Sequence, residues 1–200
     1  MRTIKDVDSL LALYDQVSAR SLEKVATQLT PLYAQFIEAS KFVIVSTVGP
    51  EGTDASPRGD DGPVVAIADK KTLLLPDWQG NNRLDTLRNI VRDSRVSLMF
   101  MVPGSNNVVR INGTAVVSDE PTLIDRFAKG AKTPRTVVVT TINELYFQCA
   151  KALMRSSLWD AHGERPVVPT AGAFLREAVD GFDAETYDAD YPAYAAERMW

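Results

Sequence analysis

The stretch Leu75-Pro76-Asp77-Trp78-Gln79-Gly80-Asn81-Asn82-Arg83 has the residue types of an anion seat. An apolar run ends, a glycine-containing loop turns, and a helix is predicted to follow with Asn81 or Asn82 as its cap. The first N–H groups of a helix lack intrahelical partners and sit at the positive end of its dipole, so they suit a phosphate. Arg83 adds a permanent charge and a fork of donors. Taken alone, an ordinary capped helix with a surface arginine accounts for the same residues.

Two other segments carry cations in suggestive places. In Ser56-Pro57-Arg58-Gly59-Asp60, Arg58 stands between proline and glycine, where it has little helical or strand role. Its bland reading is a turn held by an ion pair with Asp60 or Asp61. In Gln148-Cys149-Ala150-Lys151-Ala152-Leu153-Met154-Arg155-Ser156, Lys151 and Arg155 are four apart and share a helix face. Two such cations commonly face solvent, and they can also embrace a bound anion. No nucleophile–base signature accompanies these segments. The single cysteine, Cys149, and the single histidine, His162, exclude an internal disulfide and a typical zinc site.

The elements that must position these residues change character along the chain. Residues 6–39 carry apolar side chains at helical spacing, from Leu10 and Leu11 to Phe36 and Ile37, with Pro31 expected to kink or divide the pattern. Short β-branched runs follow at 42–48, 53–58, 64–68, 72–75, 95–102, 108–117 and 136–142, separated by turn residues. A helix with Leu84, Leu87, Ile90 and Val91 on one face interrupts them. A second helix is expected from a cap at Asn143 to about Ser156. Strands at this spacing, with helices at the ends, point to a small antiparallel barrel. Residues 1–40 then read as N-terminal helices packing on the barrel, 41–159 as the barrel domain, and 160–200 as a helical or irregular tail. That tail has a helical patch at Phe174, Leu175, Ala178 and Val179 and is expected on the surface or on a partner subunit.

The 200 residues are 45% hydrophobic and 24% charged, ordinary values for a globular chain with a core. A net charge of −4 argues against nucleic acid as the partner. No apolar run approaches the ~20 residues of a membrane-spanning helix, and Met1 to Leu13 lacks a signal-type stretch. A cytoplasmic location is expected, with no membrane or nucleic-acid partner and no metal.

Five motifs in order resemble the pyridoxamine 5'-phosphate oxidase-like FMN-binding split-barrel family, in its branch of FMN-dependent oxidases. They are SPRGD at 56–60, LLLPD at 73–77, GNNRLDTLRNI at 80–90, Val109-Arg110-Ile111-Asn112-Gly113, and the run from Gln148 to Trp159. The resemblance spans about Leu10 to Trp159. It implies a mainly β fold with flanking helices, a six-stranded antiparallel Greek-key split β-barrel. It also implies a homodimer with one FMN in each of two interface clefts, acting on a small organic substrate. Arg83 with Asn82 would hold the FMN phosphate. Ser56 and Arg58 would lie along the isoalloxazine or ribityl chain, with Pro76 and Asp77 on the neighbouring strand. Lys151, Arg155 and Ser156 would come from a helix closing the site, from the same or the other subunit. Gln148 departs from the pattern where relatives often carry histidine. The strand Val96 to Val102 offers an apolar surface for pairing, and Trp78 or Trp159 is a candidate wall of the cleft. The alternative is a non-catalytic flavin- or haem-binding protein, or a sensor, on the same fold.

Overall fold

In the computed structural model, which describes residues 1–160 and 168–200, the β-branched runs form seven antiparallel strands. These are β1 (Phe42–Gly49), β2 (Gly52–Gly59), β3 (Ala66–Asp69), β4 (Thr72–Asp77), β5 (Arg95–Met101), β6 (Val108–Ser118) and β7 (Thr136–Gln148). They lie in the order β2-β1-β5-β6-β7-β4-β3 in one sheet, which wraps into a split barrel. The loop after β2 closes the wrap: Asp60 N–H donates to the Lys41 carbonyl and Val64 N–H to the Ser40 carbonyl, both at the start of β1. Seven strands exceed the expected six by one short edge strand, with the same architecture.

Alternation builds the core. Val43 and Val45 of β1, Val96, Leu98 and Phe100 of β5, and Val109 and Ile111 of β6 point inward and are buried. Fully burying each such side chain contributes about 1.5–3 kcal/mol, which holds the register against a one-residue slip. The helices are α1 (Val7–Leu11), α2 (Ala19–Glu23), α3 (Pro31–Ala39), α4 (Asp85–Arg92), α5 (Pro121–Ile124), α6 (Lys151–Ser156), α7 (Ala171–Ala178) and α8 (Ala184–Glu197), with a 3₁₀ turn at Asp125–Phe127. α4 docks on β1 through a buried polar contact, Asn89 Nδ2 donating to Thr47 Oγ1 at 3.1 Å. Gly49 makes room for it, since a Cβ there would fall 2.1 Å from Asn89 Oδ1.

Several elements differ from the sequence expectation. Residues 6–39 are three short helices, and Pro31 opens α3 at its first turn, where its missing N–H costs nothing. α1 and α2 bury no residue, whereas Leu29 and Ile37 join the core. Asn143 caps no helix. It is the extra residue of a β-bulge opposite Asn112/Gly113, and β7 continues to Gln148. The bulge moves the buried face from Ile142 to Leu145, so the strand still reads apolar inward on both sides of it. Gly113 is required there, because a Cβ would meet the Thr141 carbonyl oxygen at 2.1 Å. β5 is an interior strand between β1 and β6, with Val96, Leu98 and Phe100 in the core. The tail contains a second helix, α8, capped by Asp183, which Pro192 obscured in sequence. No described helix is long and apolar enough to cross a membrane.

Candidate functional site

Period-two alternation on β2 turns Asp54, Ser56 and Arg58 to one half-buried face, beneath the start of α4. Arg58 Nη1 donates to Ser56 Oγ at 2.7 Å, and its Nη2 lies 3.4 Å from Thr86 Oγ1. Thr86 in turn donates to Asp54. The Arg58–Asp60 pair suggested by the sequence does not form. Asp60 instead pairs with Lys129 Nζ at 2.6 Å and accepts the Trp78 indole N–H at 3.0 Å. Arg58 is thereby left without a salt bridge to a carboxylate and lines a cavity of about 960 Å³.

β4 supplies the opposite wall. Pro76 lies beyond the stretch that pairs with β3, so its absent N–H leaves no gap in that ladder. Asp77 follows it and faces Thr136 across the β4–β7 pairing. Burial raises the Asp77 carboxyl above the usual carboxylate range, against the pull of Arg58 and Arg135. The loop after β4 is not the expected cap. α4 begins at Asp85 with Leu84 as its N-terminal flank, while Asn81 Oδ1 accepts the Arg83 N–H at 2.9 Å. Asn82 takes a left-handed φ of 61°, a conformation asparagine tolerates. Arg83 is exposed, its Nε 2.6 Å from Asp85 Oδ2.

Ser56, Arg58, Pro76, Asp77, Asn82 and Arg83 therefore line one cavity. Lys151, Arg155 and Ser156 do not line it within the same chain. α6 follows the end of β7 remote from Thr136, which by strand rise is up to about 40 Å away along the strand. Trp78 does wall the cavity, whereas Trp159 donates its indole N–H to the Ser105 carbonyl elsewhere. His162 lies outside the described residues.

Sequence reasoning missed Arg135 and Thr136, and also Tyr191, Met199 and Trp200 of the tail, all of which line the cavity. Arg135 Nη1 reaches Asn82 Oδ1 at 3.5 Å, placing a third guanidinium beside Arg58 and Arg83. Thr136 Oγ1 is buried without a hydrogen-bond partner among the described residues. Only the β4–β7 pairing brings these residues to Asp77, and no local pattern announces it. Guanidiniums and indoles in one lining suit a ligand with an anionic group and an apolar body.

A split barrel with an arginine-lined cleft at the end of β2 and β4 is the frame of a small-molecule-binding barrel protein. Residues 29–149 match the family model described as pyridoxamine 5'-phosphate oxidase, more than half of the chain, and the protein belongs to that family. The fold is shared with a HupZ variant from Group A Streptococcus, at 17% identity and a TM-score of 0.50 over 60% of this chain and 98% of that one. A candidate pyridoxamine 5'-phosphate oxidase from Lactobacillus delbrueckii is 24% identical, with a TM-score of 0.50 over 60% of this chain and 95% of that one. No curated protein matches the sequence.

Proposed function

We propose that this protein binds FMN in the cleft and uses it as an oxidoreductase of the pyridoxamine 5'-phosphate oxidase-like class, on a small organic substrate, as a homodimer. The observation that carries the reading is the cavity itself, whose lining includes Arg58, Arg83, Arg135 and Thr136. Its volume of about 960 Å³ is at the upper end of ordinary ligand sites, as a tricyclic ring with a phosphorylated side chain requires.

When bound, FMN supplies the hydride and electron chemistry. Arg83, with Asn82 and Arg135, holds the phosphate at the mouth of the loop before α4. Ser56 and Arg58 line the ring and ribityl side, where the guanidinium stabilises negative charge on the ring's edge. Asp77 lies on the neighbouring strand and holds its proton more readily than a solvated carboxyl. No further acid or base is obligatory. Because α6 stands at the far end of β7, Lys151, Arg155 and Ser156 of the partner subunit complete the cleft across a two-fold interface.

The tail favours FMN over a deazaflavin with a polyglutamate extension. Asp180, Asp183, Glu185, Asp188 and Asp190 precede Tyr191, which lines the cavity, so an acidic extension leaving the cleft would meet like charge. FAD would need a further pocket for its adenylate.

The absorption spectrum of the purified protein tests the cofactor, and anaerobic mixing with NADH or NADPH tests the chemistry. Flavin bands that bleach on mixing support the enzyme. Bands that persist favour a binding protein or another electron donor. Absence of flavin, with no FMN taken up in equilibrium dialysis, overturns the reading, and tighter binding of the deazaflavin moves the assignment to that coenzyme.

A further inference from the structure

Beyond the residues that bear on the phosphate, we infer that Trp200 forms, with Trp78, an indole wall for the planar ring of the cofactor, and that Lys129 is the positioning residue that seats it. The inference rests on the FMN reading for the identity of the ring and on the geometry for the wall.

Four separated segments build the seat. The Trp78 and Trp200 rings meet edge to face, with centroids 5.3 Å apart and planes at 81°. The Lys129 ammonium lies 3.3 Å from the Trp200 centroid and 5.4 Å from that of Trp78. That ammonium is fixed from the other side by Asp60 at 2.6 Å and by Asp61. Asp60, its side chain only 8% exposed, also accepts the Trp78 indole N–H, so carboxylate, indole, indole and ammonium close a ring of contacts. Lys132 Nζ donates to the Glu197 carbonyl at 3.3 Å and pins the end of α8 beside it.

A plain packing role would need only apolar contact. Here a nearly buried carboxylate and a cation are spent on orienting two indoles that both line the cavity, together with Tyr191 and Met199. Arg58, Arg83 and Arg135 line the same cavity and divide its chemistry with the indoles. The ligand class this division selects is a planar, electron-poor heteroaromatic ring carrying a phosphate: indoles are electron-rich and stack on such rings, and the guanidiniums take the anion. An indole in contact with a flavin also quenches its emission, which gives a readout independent of turnover.

The test compares FMN and riboflavin binding, and the emission of the bound flavin, in the wild type and in Trp200→Phe, Trp200→Ala, Lys129→Met and Lys129→Arg. Trp200→Ala should weaken both ligands alike by tenfold or more, since it removes ring contact and leaves the phosphate site intact. Trp200→Phe should bind within about threefold of wild type yet raise bound-flavin emission severalfold. Lys129→Met should raise that emission as Trp200→Phe does, and Lys129→Arg should restore quenching. Unchanged affinity and unchanged quenching in Trp200→Phe and Trp200→Ala would overturn the wall. Failure of the FMN reading shows separately, as a wild type that takes up no flavin. Acrylamide quenching of Trp200 in a Trp78→Phe, Trp159→Phe protein then decides. Shielding that Lys129→Met abolishes supports the seat, and free access in the Lys129 protein overturns it.

Discussion

Thr136 offers a perturbation whose two consequences have opposite sign. Its hydroxyl is buried, has no hydrogen-bond partner, and lies on the first residue of β7, opposite Asp77. A buried hydroxyl left unsatisfied costs about 1–3 kcal/mol. Valine keeps the β-branched shape that suits the strand and removes the polar atom. Without ligand, Thr136→Val should therefore gain about 1 kcal/mol, and for a chain of this size that raises the unfolding midpoint by roughly 2–4 °C. If the Thr136 side chain turns its hydroxyl toward bound FMN, the same change removes that hydrogen bond, worth about 0.5–1.5 kcal/mol if neutral and up to about 3 kcal/mol if to the phosphate. Affinity should fall by about threefold to a hundredfold. Thr136→Ser keeps the hydroxyl and should keep most of the affinity. Thermal unfolding of the apoprotein and equilibrium dialysis with FMN measure the two arms. A Thr136→Val apoprotein less stable than wild type would refute the reasoning, since the hydroxyl would then have a protein partner and would not be held for a ligand.

Arg83→Ala should weaken FMN by more than tenfold and leave riboflavin nearly unchanged, because only the phosphate faces that guanidinium. Equal losses for both ligands would make Arg83 structural. Asp77→Asn should stabilise the protein at neutral pH. Burial raises the Asp77 carboxyl, so between its unfolded value of 3.8 and its folded value the native state holds a proton that the unfolded state has released, and stability falls as pH rises. Unfolding midpoints from pH 4 to 7 should decline relative to the amide variant, and a variant weaker at pH 7 would show that Arg58 and Arg135 outweigh the burial. Light scattering at micromolar concentration should return twice the 22.0 kDa of one chain, and a monomer mass would remove the source proposed for Lys151 and Arg155.

The fold was legible because its strands alternate. Every extended run between Phe42 and Ile142 became a strand, and of the loop expected at Gly59 to Pro63 only Gly59 joined β2. What escaped was set by pairing between distant segments. Nothing near Asn143 signals a bulge, since its residues read equally well as a cap, and only the β6 partner forces the strand to continue. α8 lacks a one-sided apolar stripe and contains Pro192, so neither period nor composition marks it. The site split the same way. Ser56, Arg58, Pro76, Asp77, Asn82 and Arg83 of the motifs line the cavity and Lys151, Arg155 and Ser156 do not, while Arg135, Thr136 and Trp200 reach it only through β4–β7 pairing and the return of the tail.

The motifs themselves divide between chemistry and architecture, and the division explains why they must occur together. In 56–60, Arg58 faces the cavity because Asp60 is engaged elsewhere, by Lys129 and Trp78. In 80–90, Arg83 stands at the cavity mouth because Asn81 turns the loop beneath it and Asn89 docks α4 on Thr47 of β1. In 109–113, no residue lines the cavity, yet Gly113 admits the bulge that lets one strand, β7, begin at Thr136 beside Asp77 and end at Gln148 before α6. Removing that bulge would exchange the inward and outward faces of half of β7. It would bury Glu144 in place of Leu145 and re-aim the approach to Lys151. The start of α6 is thus positioned by a glycine that does not line the cavity.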